Sequence, residues 1–230
     1  MEFEPCDRAV YLPAADALVC ADLHVGRAAT SNVEWGFGEH AHATLLERFE
    51  ALLERFAPSE AVLAGDVLHA FDSLPRGVAE TVRELQRVAE AAETRLLATP
   101  GNHDTMLEEL WDGPTAEEYR LGGVVVTHGH ERPETDADCY VVGPDHPTIE
   151  IEGKRRACYL YGPEQYEDAD VLMLPSFSRL PAGVAVNGMT AGEFQSPLVT
   201  DADGLRPVVR DEDADETHEF PPLGEFRRLL

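Results

Sequence analysis

Five times along this chain a short apolar run stops abruptly at an aspartate, histidine, asparagine or glycine. Ala17-Leu18-Val19-Cys20-Ala21 leads into Asp22-Leu23-His24, and Ala61-Val62-Leu63-Ala64 into Gly65-Asp66. Arg95-Leu96-Leu97-Ala98-Thr99 leads into Pro100-Gly101-Asn102-His103-Asp104. Gly123-Val124-Val125-Val126 leads into Thr127-His128-Gly129-His130, and Cys139-Tyr140-Val141-Val142 into Gly143-Pro144-Asp145-His146. Continuous apolar runs of this length are the pattern of fully buried strands. Between the first three, Leu45, Leu46, Phe49, Leu52, Leu53 and Phe56, and then Val78, Val82, Leu85 and Val88, repeat at the spacing of one helical face. Strand–helix–strand–helix–strand predicts parallel strands joined by crossover helices. Such sheets gather ligands at the carboxyl ends of their strands, which is where these polar residues fall.

Past residue 147 the pattern changes to short strands with no helices between them. Leu172-Met173-Leu174, Gly183 to Val186, Pro197-Leu198-Val199 and Leu205 to Val209 are the candidates, and Asp201-Ala202-Asp203-Gly204 has the composition of a hairpin turn. The acidic stretch 211–219 is expected to be a flexible, solvated loop. Together these features predict a second, mostly antiparallel sheet packed face to face with the first, all within one domain over residues 1–230.

The composition, 43% hydrophobic and 27% charged, is that of a globular protein and excludes a disordered chain. No apolar run approaches the ~20 residues that span a bilayer, and the acidic Met-Glu-Phe-Glu-Pro start lacks the basic region of a signal peptide. Cys6, Cys20, Cys139 and Cys158 show no CxxC spacing and are expected to be buried thiols. A cytoplasmic protein with no membrane partner is the expectation. The charge is unusual: 44 acidic against 18 basic residues gives −26, and Lys154 is the only lysine. Such a surface repels itself and any polyanion at low salt, whereas at about 1 M salt the Debye length falls to roughly 3 Å. The expectation is adaptation to a salt-rich cytosol, as in extreme halophiles. Lys154-Arg155-Arg156 is the one tight basic cluster.

Carboxylate, imidazole and amide oxygen together are ligands for a hard-to-borderline divalent ion such as manganese, iron, zinc or cobalt, and the lack of cysteine among them argues against a structural zinc. One such ion lowers the pKa of water to about 7, and a pair roughly 3.5–4 Å apart also neutralises phosphoryl oxygens. A histidine beside the ions that does not bind them can protonate a leaving oxygen. Asp104 can hydrogen-bond His103 and fix its tautomer, or serve as a helix cap. His69 and His130 stand near these motifs; His40, His42 and His218 are expected on the surface.

The ordered series Asp22-Leu23-His24, Gly65-Asp66-Val67-Leu68-His69, Gly101-Asn102-His103-Asp104, His128-Gly129-His130 and Gly143-Pro144-Asp145-His146 resembles the calcineurin-like metallophosphoesterase superfamily. It is most similar to the small prokaryotic branch related to the nuclease subunit of double-strand-break repair complexes. The resemblance implies an α/β fold, a four-layer αββα sandwich of two mixed sheets flanked by helices. It implies Asp22, His24, Asp66 and His146 around a first metal, and Asp66, Asn102 and His128 around a second. His103, with Asp104, would be catalytic, manganese the first choice of metal ahead of iron, zinc, cobalt or nickel, and the substrate a phosphodiester or phosphomonoester, with nucleic acid among the candidates. One departure stands out. The family's last motif is Gly-His-x-His, and Pro144 replaces its first histidine. The second ion then has fewer donors, with water, Asp145 or His130 as substitutes. Two functions stay open: a hydrolase using one or two ions, and a non-catalytic metal-binding interaction or regulatory protein on the same fold.

Overall fold

In the computed structural model the described residues are 1–27, 37–69, 74–179 and 182–228. The first sheet has five strands, β1 (Glu4–Cys6), β2 (Ala9–Leu12), β3 (Ala17–Ala21), β4 (Glu60–Ala64) and β5 (Arg95–Thr99), in that spatial order. β3, β4 and β5 are parallel, as the strand–helix alternation predicts. Their crossovers contain α1 (Phe37–Phe56) and α2 (Val78–Ala91). Both helices lie on one face of the sheet, where Phe49, Leu53, Val82 and Leu85 are buried against Leu18, Cys20 and Leu63. The helical spacing thus marks the right faces. What it did not mark is the antiparallel edge formed by β1 and β2, which are short and lie before the first long apolar run.

The remaining strands are β6 (Tyr119–Leu121), β7 (Val124–Val126), β8 (Cys139–Val142), β9 (Pro147–Ile151), β10 (Lys154–Ala157), β11 (Tyr159–Tyr166), β12 (Ala169–Met173), β13 (Val184–Ala185), β14 (Arg206–Asp211) and β15 (Glu216–Glu219). Seven of them form a mixed sheet in the order β15-β14-β11-β12-β8-β7-β6. β9, β10 and β13 form a small three-stranded sheet, which the apolar pattern did not reveal because β10 is the exposed Lys-Arg-Arg run. The two large sheets pack face to face. Val10, Val19, Val62 and Leu97 of the first meet Val126, Val141, Tyr159 and Leu172 of the second in one fully apolar layer. Across it, the Tyr159 hydroxyl donates to the Ala9 carbonyl at 2.6 Å. The outer face of the second sheet is covered by Phe194, Leu198, Leu205, Leu223 and Phe226, on turns and the short α3 (Leu223–Phe226). The architecture is the expected sandwich of two mixed sheets, with its last layer thin.

Three local expectations are corrected. Pro197-Leu198-Val199 is a turn, not a strand; Leu198 and Val199 are apolar because they cover the second sheet. Asp201 to Gly204 is no hairpin: it opens a single 3-10 turn, Ala202–Gly204, with the Asp201 carboxylate accepting from the Asp203 amide at 3.0 Å. The hairpin lies later, within the stretch expected to be a solvated loop. There β15 pairs with β14, and Asp215 takes a left-handed conformation at the turn. Its acidic residues are those of an exposed edge strand, where charge discourages pairing with another chain.

Candidate metal centre

The five polar motifs meet because β3, β4, β5, β7 and β8 all end at the same rim of the two facing sheets. Beyond the ends of β3 and β4 the chain keeps pairing: the His24 amide donates to the Asp66 carbonyl, Val25 to Val67 and His69 to Val25, each at 2.9 Å. To do this while turning side chains into the cleft, Asp22, His24, Asp66 and His146 all adopt positive φ, between 40° and 54°. Non-glycine residues rarely tolerate that region, and the strain clusters at functional sites.

Two groups of potential ligands result. Asp22, His24 and His146 form one, and Asp22, Asp66 and His128 the other. Asp22 is common to both, a place the resemblance gives to Asp66. The His24 and His146 Nε2 atoms face each other at 3.1 Å. Asp22 Oδ2 lies 3.5 Å from His146 Nε2, and Asp22 Oδ1 lies 3.5 Å from His128 Nε2. Asp66 Oδ2 is 3.9 Å from His128 Nε2 and 3.8 Å from His103 Nε2. Asp22 is fully buried, yet neither of its oxygens accepts a hydrogen bond, nor does His128 Nε2 make one. Buried polar atoms without partners are costly, so a set of them aimed at one space has the character of a cation site. Ligands about 2.0–2.2 Å from an ion stand roughly 3 Å apart, close to these separations. The residues present therefore fit a divalent metal.

The electrostatics agree. Burial opposes charge on Asp22, but His128 and His146 outweigh it and hold the carboxyl at about 2. Burial pushes the His24 ring down to about 3, so it is a bare imidazole with a lone pair to give. At Asp66 burial pushes the carboxyl up, against the pull of His128. His128 is raised despite its burial, because Asp22 and Asp66 face it.

Three glycines make the approach of these side chains sterically possible. A Cβ on Gly65 would lie 2.2 Å from the His128 ring, one on Gly101 2.2 Å from Asp66 Oδ1, and one on Gly143 2.5 Å from Asp22 Oδ2. Each glycine in the Gly-Asp, Gly-Asn-His and Gly-Pro-Asp-His motifs thus makes room for a ligand from a different strand.

His103 sits at the mouth of the cleft, its amide donating to Asp66 Oδ1 at 3.0 Å. Asn102 beside it is exposed, in the turn that leans on Asp66. Asp104 does not hold the His103 ring. Its carboxylate accepts from the amides of Leu68 at 2.7 Å, Gly101 at 2.9 Å and Val67 at 3.1 Å, clasping two ligand loops together. Burial pushes that carboxyl up to about 6 even against these donors. Asp145 is no substitute ligand either: it accepts from the amides of Gln195 and Ser196, at 2.8 and 3.2 Å. His130 Nδ1 lies 2.8 Å from His128 Nδ1, where it orients the ring and leaves Nε2 for the cleft. His69 packs edge-on against His24 with ring centroids 5.3 Å apart. His42, expected on the surface, is a partly buried residue of α1 whose ring accepts from the Gly26 amide at 3.3 Å. The sequence reading missed Ser176, whose hydroxyl donates to the Asp22 carbonyl at 2.7 Å and helps fix that strained backbone. The signal was available, since Leu172-Met173-Leu174 is one more apolar run ending in polar residues.

A family model described as calcineurin-like phosphoesterase matches residues 16–172. Among solved structures the chain is similar to the Pseudomonas putida nuclease MPE, at 22% identity and a TM-score of 0.66, over 95% of this chain and 100% of that one. It is also similar to Yfce, a phosphoesterase from E. coli, at 18% identity and a TM-score of 0.45, over 90% of this chain and 98% of that one. No curated relative matches the sequence. The first likeness supports the fold described above, and the family model covers more than half the chain, including every strand end that supplies the centre. The chain belongs to the calcineurin-like phosphoesterase family.

Proposed function

We propose that the protein hydrolyses phosphodiesters with one or two divalent cations, manganese being the first choice, held by Asp22, His24, Asp66, His128 and His146 with Asn102 at the edge. The observation that carries this reading is the buried Asp22 carboxylate, common to two ligand groups and without a hydrogen-bond donor on either oxygen. Cations bound there supply an acidified water at neutral pH and offset the charge of the phosphoryl oxygens. His24, driven neutral by burial, and the ionised Asp22 are ready to bind without first losing a proton. His130 keeps the His128 ring turned so that Nε2 faces the cleft. His103, half exposed at the mouth, is placed to give a proton to the departing oxygen. The likeness to a nuclease favours a diester of nucleic acid over a monoester. The charge of −26 with a single lysine supports a working environment of molar salt, in a salt-rich cytosol. Among the described residues no helix is long and apolar enough to cross a membrane.

Pro144 supports a second reading, a metal-binding protein without catalysis, because its ring brings no donor and Asp145 is engaged elsewhere. One experiment separates them: hydrolysis of bis(4-nitrophenyl) phosphate and 4-nitrophenyl phosphate in about 2 M KCl, with manganese, nickel, cobalt, zinc or magnesium added in turn. Turnover of the diester that disappears in Asp66→Ala is the expected result. A folded protein that binds one ion and turns over neither ester would sink the enzyme reading.

A further inference from the structure

Against its acidic surface this protein keeps a group of arginines beside the metal centre. Arg8 occupies the second position of the two-residue turn between β1 and β2, where both Asp7 and Arg8 have positive φ. Its guanidinium is half buried and donates to the carbonyls of Ser176 and Ser178, at 3.3 and 2.8 Å. Among the described residues no carboxylate lies within ion-pair reach of it, in contrast to Arg48 and Arg179 nearby, which both pair with Asp7. Three guanidinium groups, Arg8, Arg48 and Arg179, thus gather around the one Asp7 carboxylate, which leaves surplus positive charge here; burial and then the charges of Arg48 and Arg179 lower the pKa of Arg8 against the pull of Asp7. Arg155 faces it from β10. It is exposed, and among the described residues it too has no ion pair.

Both side chains line one cavity of about 290 Å³ whose wall includes His146, with Ser176 and Gly183. The link is covalent as well as spatial: β9 starts directly after His146, and β10 folds back along it with Arg155 opposite Glu150. At about 30 Å³ per water, the cavity has room for roughly ten water molecules, more than a phosphoryl group needs. On another flank of the centre a cavity of about 400 Å³ holds His130 among Glu117, Glu118, Glu131 and Glu134, four carboxylates against the one guanidinium of Arg132. An extended polyanion is repelled there and attracted to the arginine side. Planar guanidinium groups bind phosphate through paired N–H donors, a contact that depends on geometry and so persists when salt screens long-range attraction.

We infer that the cavity between Arg8 and Arg155 is a subsite for a second phosphoryl group, the one next to the phosphate at the metal centre, so that substrate extends from the centre toward the β9–β10 hairpin only. This rests on the phosphoesterase reading and gives it a direction. The second phosphate can belong to a nucleic-acid strand or to a small polyphosphorylated molecule, and the test tells them apart. In about 2 M KCl with manganese, kcat/KM is measured for thymidylyl-thymidine with one phosphate, for the trinucleotide with two, and for a dinucleoside pyrophosphate, in wild-type and Arg155→Glu protein. The wild-type preference for two phosphates over one should fall about tenfold in the variant. A preference for the trinucleotide assigns the subsite to a nucleic-acid strand; a preference for the pyrophosphate alone assigns it to a small molecule. A preference that Arg155→Glu leaves unchanged, including an equal loss on every substrate, overturns the subsite. If folded, metal-loaded wild type cleaves no diester, the hydrolase reading fails by itself. The affinities of labelled one- and two-phosphate oligonucleotides then decide the subsite, which stands if Arg155→Glu weakens only the second and falls if it does not.

Discussion

Gly143→Ala isolates the steric role of the motif glycines from any change in ligand chemistry. Gly143 does not have positive φ, so an alanine there meets no backbone penalty. Its Cβ, however, would stand 2.5 Å from Asp22 Oδ2 and 2.7 Å from the Ala21 Cβ, about 0.9 Å inside ordinary contact on the carboxylate side. Asp22 is fully buried at the end of β3 and cannot swing into solvent, so it or the 143–146 loop must shift by several tenths of an ångström. Overpacking of this kind costs about 1–3 kcal/mol. For a chain of this length that lowers the melting temperature by about 3–10 °C. The effect on the centre is larger, because ligand distances tolerate only about 0.2 Å. Manganese affinity, read by calorimetry in about 2 M KCl, should fall roughly 10–100-fold, the range for lost support of a ligand. Gly188→Ala is the control, having neither positive φ nor any atom within 4 Å of the new Cβ; it should change neither quantity. Wild-type manganese affinity in Gly143→Ala would refute the argument, since Asp22 would then not need the space that Gly143 leaves.

Three further outcomes are expected. Asp104→Asn can offer its oxygen to the Val67 and Gly101 amides but turns an amide group toward Leu68, so the denaturation midpoint should drop by the equivalent of about 2–4 kcal/mol, with a loss of activity; an unchanged midpoint counts against the clasp. Pro144→His supplies the donor that the chain lacks, and metal stoichiometry by elemental analysis should rise toward two ions per chain; no increase would mean that the position does not reach the centre. Finally, the melting temperature should be more than about 5 °C higher at 2 M than at 0.1 M KCl, because screening removes repulsion among the excess acidic groups. A melting point independent of salt would remove the halophilic reading.

What the sequence displayed well was whatever depends on burial along one element. The β3–α1–β4–α2–β5 alternation and the apolar helix faces follow from periodicity, and the strand ends follow from where the runs stop. What it hid depends on pairing between distant segments. β1 and β2 are too short to show a period, β10 is charged because it lies exposed in a small sheet, and β15 hides in an acidic stretch because an edge strand tolerates charge on both faces. In the centre, Asp22, His24, Asp66, His128 and His146 were visible as residue types at strand ends, and the structure brings them together. The duties of Asp104 and Asp145 were not. Both are carboxylates beside ligands, and only the direction of the surrounding amides shows that they fasten loops.

That distinction explains how the centre can stay assembled on a strained backbone. Four ligand residues hold positive φ, a conformation that costs on the order of 1–3 kcal/mol at each position and would relax if the loops were free. They are not free. The Asp22 carbonyl is held by Ser176, the Asp66 side chain by the His103 amide, and the loops after β4 and β5 by three amides on one Asp104 carboxylate. Because each of these contacts has as one partner a backbone atom or a side chain that is not a ligand, they act whether or not a cation is present, and even the Asp66 carboxylate is held by an amide through Oδ1 while Oδ2 faces His128. The chain itself thus fixes the ligand positions, and a cation entering the cleft need not order the loops. The penalty for the strain falls on folding stability, where Asp104→Asn should reveal it, rather than on metal affinity.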